Sequence, residues 1–326
     1  MAVYTEVSDE ALRAFLVEYD IGGLLAFRGI AEGVENSNYA LRTERGDFIL
    51  TIYEKRVDPK ELPYFLDLME FLARRGVPCP TPVDGRDGDA LRSLSGRPAA
   101  ICTFLEGVWP RRVRPEHLAP LGAALGQLHV AGAGFPVFRR NALGPSGWPK
   151  LLDGCRAGGD EVSPGLIAEL DRHLAGILAA WPREGVLPDG QIHADLFPDN
   201  VFFLPDAEGR PRLSGLIDFY FACTDLLAYD VAVCLNAWCF EPDGSFNVTK
   251  ARALIGAYTA VRPLWAAERA ALPVLCRGAA IRFLLTRLYD WTHTPPGALV
   301  TRKDPLEYLR KLRFFARAES PGDIGA

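Results

Sequence analysis

The chain is 326 residues long, with 49% hydrophobic, 10% aromatic and 24% charged residues. That length suggests about two domains, or one α/β body with a smaller lobe, and the composition excludes a disordered, collagenous or disulfide-scaffold chain. Thirty-six Lys and Arg against 41 Asp and Glu give a formal net charge of −5, so no sequence-wide basic field exists to hold nucleic acid or an anionic membrane. Cys79, Cys102, Cys155, Cys223, Cys234, Cys239 and Cys276 are scattered and never spaced as C-x-x-C. This removes a zinc ribbon and a disulfide framework and predicts a reducing, cytoplasmic setting. Glu6, Asp9, Glu10, Arg13, Glu18 and Asp20 interrupt every early apolar stretch, so neither a signal peptide nor a spanning helix is predicted there.

Ser8 followed by an acidic first turn, with Ala11, Leu12, Phe15 and Leu16 at helical spacing, predicts a capped amphipathic helix over Ser8 to Tyr19. Leu24 to Ile30, Asn38 to Thr43 and Asp47 to Tyr53 read as strands of an antiparallel meander. Asp58-Pro59 opens a helix in which Leu62, Phe65, Leu66, Met69 and Leu72 recur until Gly76 and the Pro78/Pro80/Pro82 run stop it. Ala99 to Leu105 is a buried strand leading to Glu106-Gly107 and Pro110. The expected organisation is a β-rich N-terminal lobe over 1–105, a hinge over 106–111, and a helical C-terminal lobe over 112–326. In that lobe helices are expected around Leu118–Leu128, Leu166–Leu178, Ala251–Tyr258 and Leu272–Leu288, with short strands at Val201–Leu204 and Leu213–Ile217. The tail from Ser320 is expected to fray.

The most informative stretch is His193-Ala194-Asp195-Leu196-Phe197-Pro198-Asp199-Asn200, followed by a hairpin and then Ile217-Asp218-Phe219. Phosphoryl transfer needs a carboxylate to orient a hydroxyl nucleophile and accept its proton, plus oxygen ligands for Mg²⁺, and this spacing can supply all three side chains. Asp195 is then the base, and Asn200 and Asp218 are the metal ligands. Each residue alone has a plainer reading, as a cap, a turn residue or a strand-end carboxylate. Their combined strand-turn-strand spacing, with a meander and hinge upstream, is the layout of a kinase-like phosphotransferase.

These loops resemble those of aminoglycoside phosphotransferase and choline kinase relatives. Glu35-Asn36-Ser37-Asn38-Tyr39, Phe48 to Glu54, Leu62 to Leu68, Gly76 to Pro82 and Asp218 to Ala222 are similar to stretches of the second type of bacterial homoserine kinase, so the resemblance spans most of the chain. It implies an α+β, protein-kinase-like two-lobed fold, with a small antiparallel β-lobe carrying one crossing helix and a larger, mainly helical lobe. The implied cofactors are ATP and Mg²⁺, and the implied substrate is L-homoserine. Choline, methylthioribose and aminoglycosides are the neighbouring alternatives. Asp230 takes the relative position of a carboxylate that braces the catalytic loop alongside His193, and Asp225 is a candidate cap of the same helix.

No Gly-Lys dipeptide and no helix-opening G-x-G-x-x-G occurs, so a Walker A loop and a dinucleotide fingerprint are both absent. The turn carrying Glu32, Gly33, Asn36, Ser37 and Asn38 offers donors to phosphates, and an ordinary hairpin turn explains the same segment equally well. Thr51 stands where relatives carry a cation, which leaves Lys55 as the substitute, with Glu61 or Glu70 as its partner. Phe104, Leu105 and Glu106 are either an adenine-binding hinge or a simple crossover. A homoserine reader needs a cation for the carboxylate and an acceptor for the ammonium; Arg282, Arg287 and Asp290 are candidates, with Arg287 and Asp290 sharing a helix face. Two rival readings are a nucleotide-binding pseudokinase and an iron(II) oxygenase built on His193, Asp195 and His293.

Overall fold

A computed structural model describes residues 5–30, 36–54, 58–294, 302–318 and 320–326. Contacts group the chain into a first unit, Met1–Gly107 with Ser214–Tyr220, and a second, Val108–Leu213 with Phe221–Ala326.

In the first unit, helix α1 (Asp9–Leu16) starts where Ser8 Oγ accepts the N–H of Ala11 at 3.1 Å. Its Leu12, Phe15 and Leu16 are buried, and each such side chain contributes about 1.5–3 kcal/mol when taken out of water. Strands β1 (Leu24–Ile30), β2 (Ser37–Thr43) and β3 (Gly46–Ile52) form the expected meander. Asp58 caps the turn before helix α2 (Leu62–Ala73), its Oδ1 accepting from the N–H of Lys60, and Gly76 at φ +83° lets the chain leave the helix. Strands β4 (Arg92–Leu94) and β5 (Arg97–Thr103) complete an antiparallel sheet ordered β1-β2-β3-β5-β4. The core lies between this sheet and α1, around Leu12, Phe15, Leu41, Leu50, Ile52 and Ile101. Ser214–Tyr220, which the sequence reading keeps with the C-terminal lobe, is held in this unit by Leu216 N–H donating to the Pro78 carbonyl at 2.7 Å.

The second unit is mainly helical: α3 (Leu118–Gly132), α4 (Trp148–Val162), α5 (Leu166–Ala180), α6 (Leu227–Trp238), α7 (Val248–Val261), α8 (Ala266–His293) and α9 (Pro305–Arg317). Strand β6 (Asp189–Ile192) pairs antiparallel with β9 (Cys223–Leu226), and β7 (Val201–Pro205) forms a ribbon with β8 (Pro211–Leu216), which leads out of the unit. Helices α3 and α7 pack backbone to backbone: a Cβ at Gly122 would lie 2.2 Å from the Leu254 carbonyl oxygen.

Helix α4 escapes the sequence reading because Gly154, Gly158 and Gly159 depress its helix propensity. The glycines are there for packing, since a Cβ at Gly159 would meet Ile167 at 2.4 Å. Helix α9 hides its buried stripe of Tyr308, Leu309, Leu312 and Phe315 among charges. The tail corrects another expectation: Pro321–Ile324 form a 3₁₀ turn and Ile324 is fully buried, so this end is anchored. All seven cysteines are free and buried, and among the described residues no helix is long and apolar enough to cross a membrane.

Candidate active site

Strand β6 delivers the chain into the loop 193–200, which is fixed mainly through its backbone. The buried Asp230, on the first turn of α6, accepts the N–H of His193 at 2.7 Å and that of Ala194 at 2.9 Å, one on each carboxylate oxygen. Burial pushes the Asp230 carboxyl up, but hydrogen bonding and charge from His129, charge from His193 and the His193 N–H outweigh it and hold the group below its ordinary range. His129 Nε2 lies 3.2 Å from Asp230 and its Nδ1 2.7 Å from the Tyr258 hydroxyl. Because an ionised carboxylate only accepts, Nε2 carries a proton toward Asp230. Arg262 donates to the Tyr258 oxygen at 3.0 Å and to Glu268 at 2.9 Å, which closes the chain of bonds. The sequence reading missed His129 and Tyr258: they lie 101 and 28 residues from Asp230, and no linear pattern joins them.

Ala194 has φ +62°, a left-handed conformation that costs an ordinary L-residue about 1–2 kcal/mol and persists only where neighbours impose it. Beyond it, Asp195 has 19% of its side chain exposed, so the carboxylate is reachable while its backbone is held. Asn200 Nδ2 donates to the Asp195 carbonyl at 2.8 Å, which leaves the amide oxygen of Asn200 as the atom available to a cation. Trp238 Nε1–H donates to the Leu196 carbonyl at 2.7 Å, and Asp195 N–H to His193 Nδ1 at 3.3 Å. His193 is therefore a buried backbone support.

Asp225 is corrected: it lies on β9, not at the helix start, and accepts from Asn141 Nδ2 at 2.7 Å. Burial, opposed by that bond, pushes its carboxyl up. Arg282 is 2% exposed and turned inward, donating to the Ala194 carbonyl, with Nη2 3.8 Å from Asp195 Oδ1. Arg287 donates to Glu307 at 2.7 Å and lies over the Tyr308 ring, while Asp290 is exposed. Arg287, Lys311 and burial act together on Glu307: burial raises its carboxyl, and the two cations bring it down to about 2.

In the first unit, Asp218 is exposed and, like Ala194, left-handed, with φ +66°; Asp tolerates that conformation better than Ala. Phe219 is buried beside it, and Tyr220 packs edge-on against Tyr53 and Phe65. The hinge residues Phe104 and Glu106 are exposed; Leu105 lies against Gly215, where a Cβ would meet its Cδ1 at 2.8 Å, and Ser214 Oγ donates to the Glu106 carbonyl. Glu32, Gly33 and Lys55 lie outside the described residues. Asn36 Oδ1 accepts the N–H of Glu54 at 3.3 Å, and Asn38 Oδ1 accepts from the Thr51 hydroxyl at 2.8 Å. Ser37 is fully buried, its hydroxyl donating to Glu54 Oε1 at 2.8 Å, an atom that also accepts from Thr5; Glu54 Oε2 pairs with Arg97 at 3.0 Å. The Ser37 hydroxyl is thus spent inside the unit. Glu70, one proposed partner of Lys55, pairs with Arg74.

The oxygenase reading fails. His293 is exposed at the end of α8, stacked on Tyr289 and bonded to its carbonyl, and among the described residues no three His, Cys, Asp or Glu side chains form a metal-holding group.

A five-stranded antiparallel sheet unit, a helical unit and a braced H-x-D-x-x-x-x-N loop define a protein-kinase-like phosphotransferase. Residues 26–264 match the family described as "Phosphotransferase enzyme family", and the chain belongs to that family. Among curated proteins it is 66% identical to the "Homoserine kinase" of Gluconacetobacter diazotrophicus and 66% identical to that of Acidiphilium cryptum, in each case covering 100% of both chains. Among solved structures, amicoumacin kinase hAmiN superimposes with a TM-score of 0.71 at 14% identity, over 97% of this chain and 95% of that one; this likeness concerns the fold. The chain is an ATP-dependent small-molecule kinase, which sets the pseudokinase reading aside.

Proposed function

We propose that the substrate is L-homoserine and that the reaction transfers the γ-phosphoryl group of ATP to its side-chain hydroxyl, giving O-phospho-L-homoserine on the route to threonine. The observation that carries this reading is the identity of 66% over the full length of relatives named homoserine kinase. Asp195 orients the substrate hydroxyl and accepts its proton during in-line attack, a role suited to a part-exposed carboxylate on a rigid loop.

The donor chemistry of Asn200 and Asp218, a free amide oxygen and a carboxylate, fits a hard divalent cation such as Mg²⁺. When bound, Mg²⁺ neutralises charge on the phosphates. The chain's own residues fix the orientation of the acceptor: Asp230 and His129 hold the loop, and Asn200 ties the Asp195 carbonyl to the turn that follows. Backbone groups of the turn over 32–38, Lys55, and the hinge at Phe104, Leu105 and Glu106 are the proposed nucleotide contacts. The amide oxygens of Asn36 and Asn38 are engaged within the first unit, by the N–H of Glu54 and the hydroxyl of Thr51.

The test is a coupled ADP-release assay with homoserine, choline, methylthioribose and an aminoglycoside. Homoserine is expected to give a kcat/KM at least about tenfold above every other acceptor. Equal or higher turnover of another alcohol overturns the substrate assignment and leaves the kinase class intact.

A further inference from the structure

Helix α8 presents Arg282 and Phe283 side by side to the loop 193–200. The Arg282 guanidinium donates to the carbonyl of Ala194 and sits 3.8 Å from the Asp195 carboxylate. Its guanidinium carbon lies 4.2 Å from the centre of the Phe283 ring and 5.5 Å from that of Phe221, aromatic neighbours that suit a planar guanidinium better than an ammonium. Phe283 in turn packs edge-on against Phe197, two residues beyond Asp195, with centroids 4.8 Å apart.

The left-handed Ala194 is thereby gripped at both ends. Its N–H donates to the buried anion Asp230 on α6, and its carbonyl accepts from the buried cation Arg282 on α8. We infer that Arg282 is a positioning residue of the phosphoryl-transfer step: it clamps the peptide before Asp195 and orients the Asp195 carboxylate, and it does not bind the acceptor. Its 2% exposure leaves no face for a substrate, and its Nη1 already serves the loop. This inference rests on the reading of Asp195 as the base.

The test is a double-mutant cycle of Arg282→Met with Asp195→Asn, with Arg282→Lys as the conservative arm. Circular dichroism selects the folded variants, and steady-state kinetics are measured with homoserine and with 3-aminopropanol, which lacks the carboxylate. Arg282→Met is expected to lower kcat by about 100-fold for both alcohols while the KM values for homoserine and ATP stay within about threefold. Arg282→Lys is expected to recover about tenfold of that loss, because the charge returns without the flat two-pronged donor. In the Asp195→Asn background, either Arg282 substitution is expected to cost less than about threefold.

A rise in the homoserine KM at unchanged kcat, absent with 3-aminopropanol, would make Arg282 a substrate ligand and overturn the inference. Equal losses in both backgrounds would overturn it as well. Normal turnover of Asp195→Asn alone would instead remove the reading of Asp195 beneath it. If Arg282→Met fails to fold, the same comparison is made with Arg282→Lys.

Discussion

Each unit gathers neighbouring groups around one carboxylate, and the two do it differently. In the first, Glu54 keeps 10% of its side chain exposed and gathers the hydroxyls of Ser37 and Thr5 and the guanidinium of Arg97. In the second, Asp230 is fully buried and spends its oxygens on two backbone N–H groups and one imidazole. Hydroxyls and long cations rotate, whereas peptide N–H groups fix the main chain itself. The first arrangement secures a strand end, and the second sets the backbone angles of the residue beside Asp195. A buried anion costs several kcal/mol to desolvate unless its partners are complete, so the rigid arrangement is also the brittle one.

The largest effects should come from the chemistry that the rigid loop supports. Asp195→Asn is expected to lower kcat by about 10²–10⁴-fold with little change in ATP affinity, since the lost interaction belongs to the transition state. Asp218→Ala should abolish Mg²⁺-dependent turnover altogether. Rapid-quench product assays with isothermal titration of nucleotide check both.

Next, Asp230→Ala should cost about 3–5 kcal/mol, because it strands two buried N–H groups and the imidazole of His129. Urea unfolding measures this. The pH dependence sharpens the same point. The folded Asp230 carboxyl lies below its unfolded value, so its contribution is fully present above the ordinary carboxylate range and is lost as pH falls through the folded value. Urea midpoints between neutral and acid pH should therefore fall less steeply in Asp230→Asn than in the parent.

The smallest effect is expected at the first unit's cluster. Arg97→Met should change stability by no more than about 1 kcal/mol, because the Arg97 side chain is one-third exposed and its pair with Glu54 is solvent-screened. A loss from Arg97→Met comparable to that from Asp230→Ala would erase the contrast between the two units.

The meander, the capped α1 and α2, and the spacing from Asp195 to Asn200 and Asp218 were legible because local periodicity and turn chemistry specify them. The bracing of the loop was partly legible: Asp230 stood out through resemblance, while His129, Tyr258 and Trp238 carry no signal until α3, α6 and α7 pack together. Arg282 was legible only as a candidate cation for the acceptor's carboxylate, because its direction depends on how α8 packs, which one-dimensional spacing does not fix. Helix α4 was hidden because its glycines serve close contacts with Ile167, Tyr289 and Thr292, at the expense of the pattern by which helices are recognised.

The seven cysteines, spread from β-sheet to helix bundle, have one practical consequence. Burial raises every one of their thiols above the ordinary range, to about 11 for Cys155 and about 12 for Cys79 and Cys102. The native protein should therefore ignore an alkylating reagent at neutral pH, and each opening of either unit should expose its own set of reactive sulfurs. Mass-resolved maleimide labelling then acts as a built-in clock, reading the opening of the first unit at Cys79 and Cys102 separately from that of the second at Cys155, Cys234, Cys239 and Cys276.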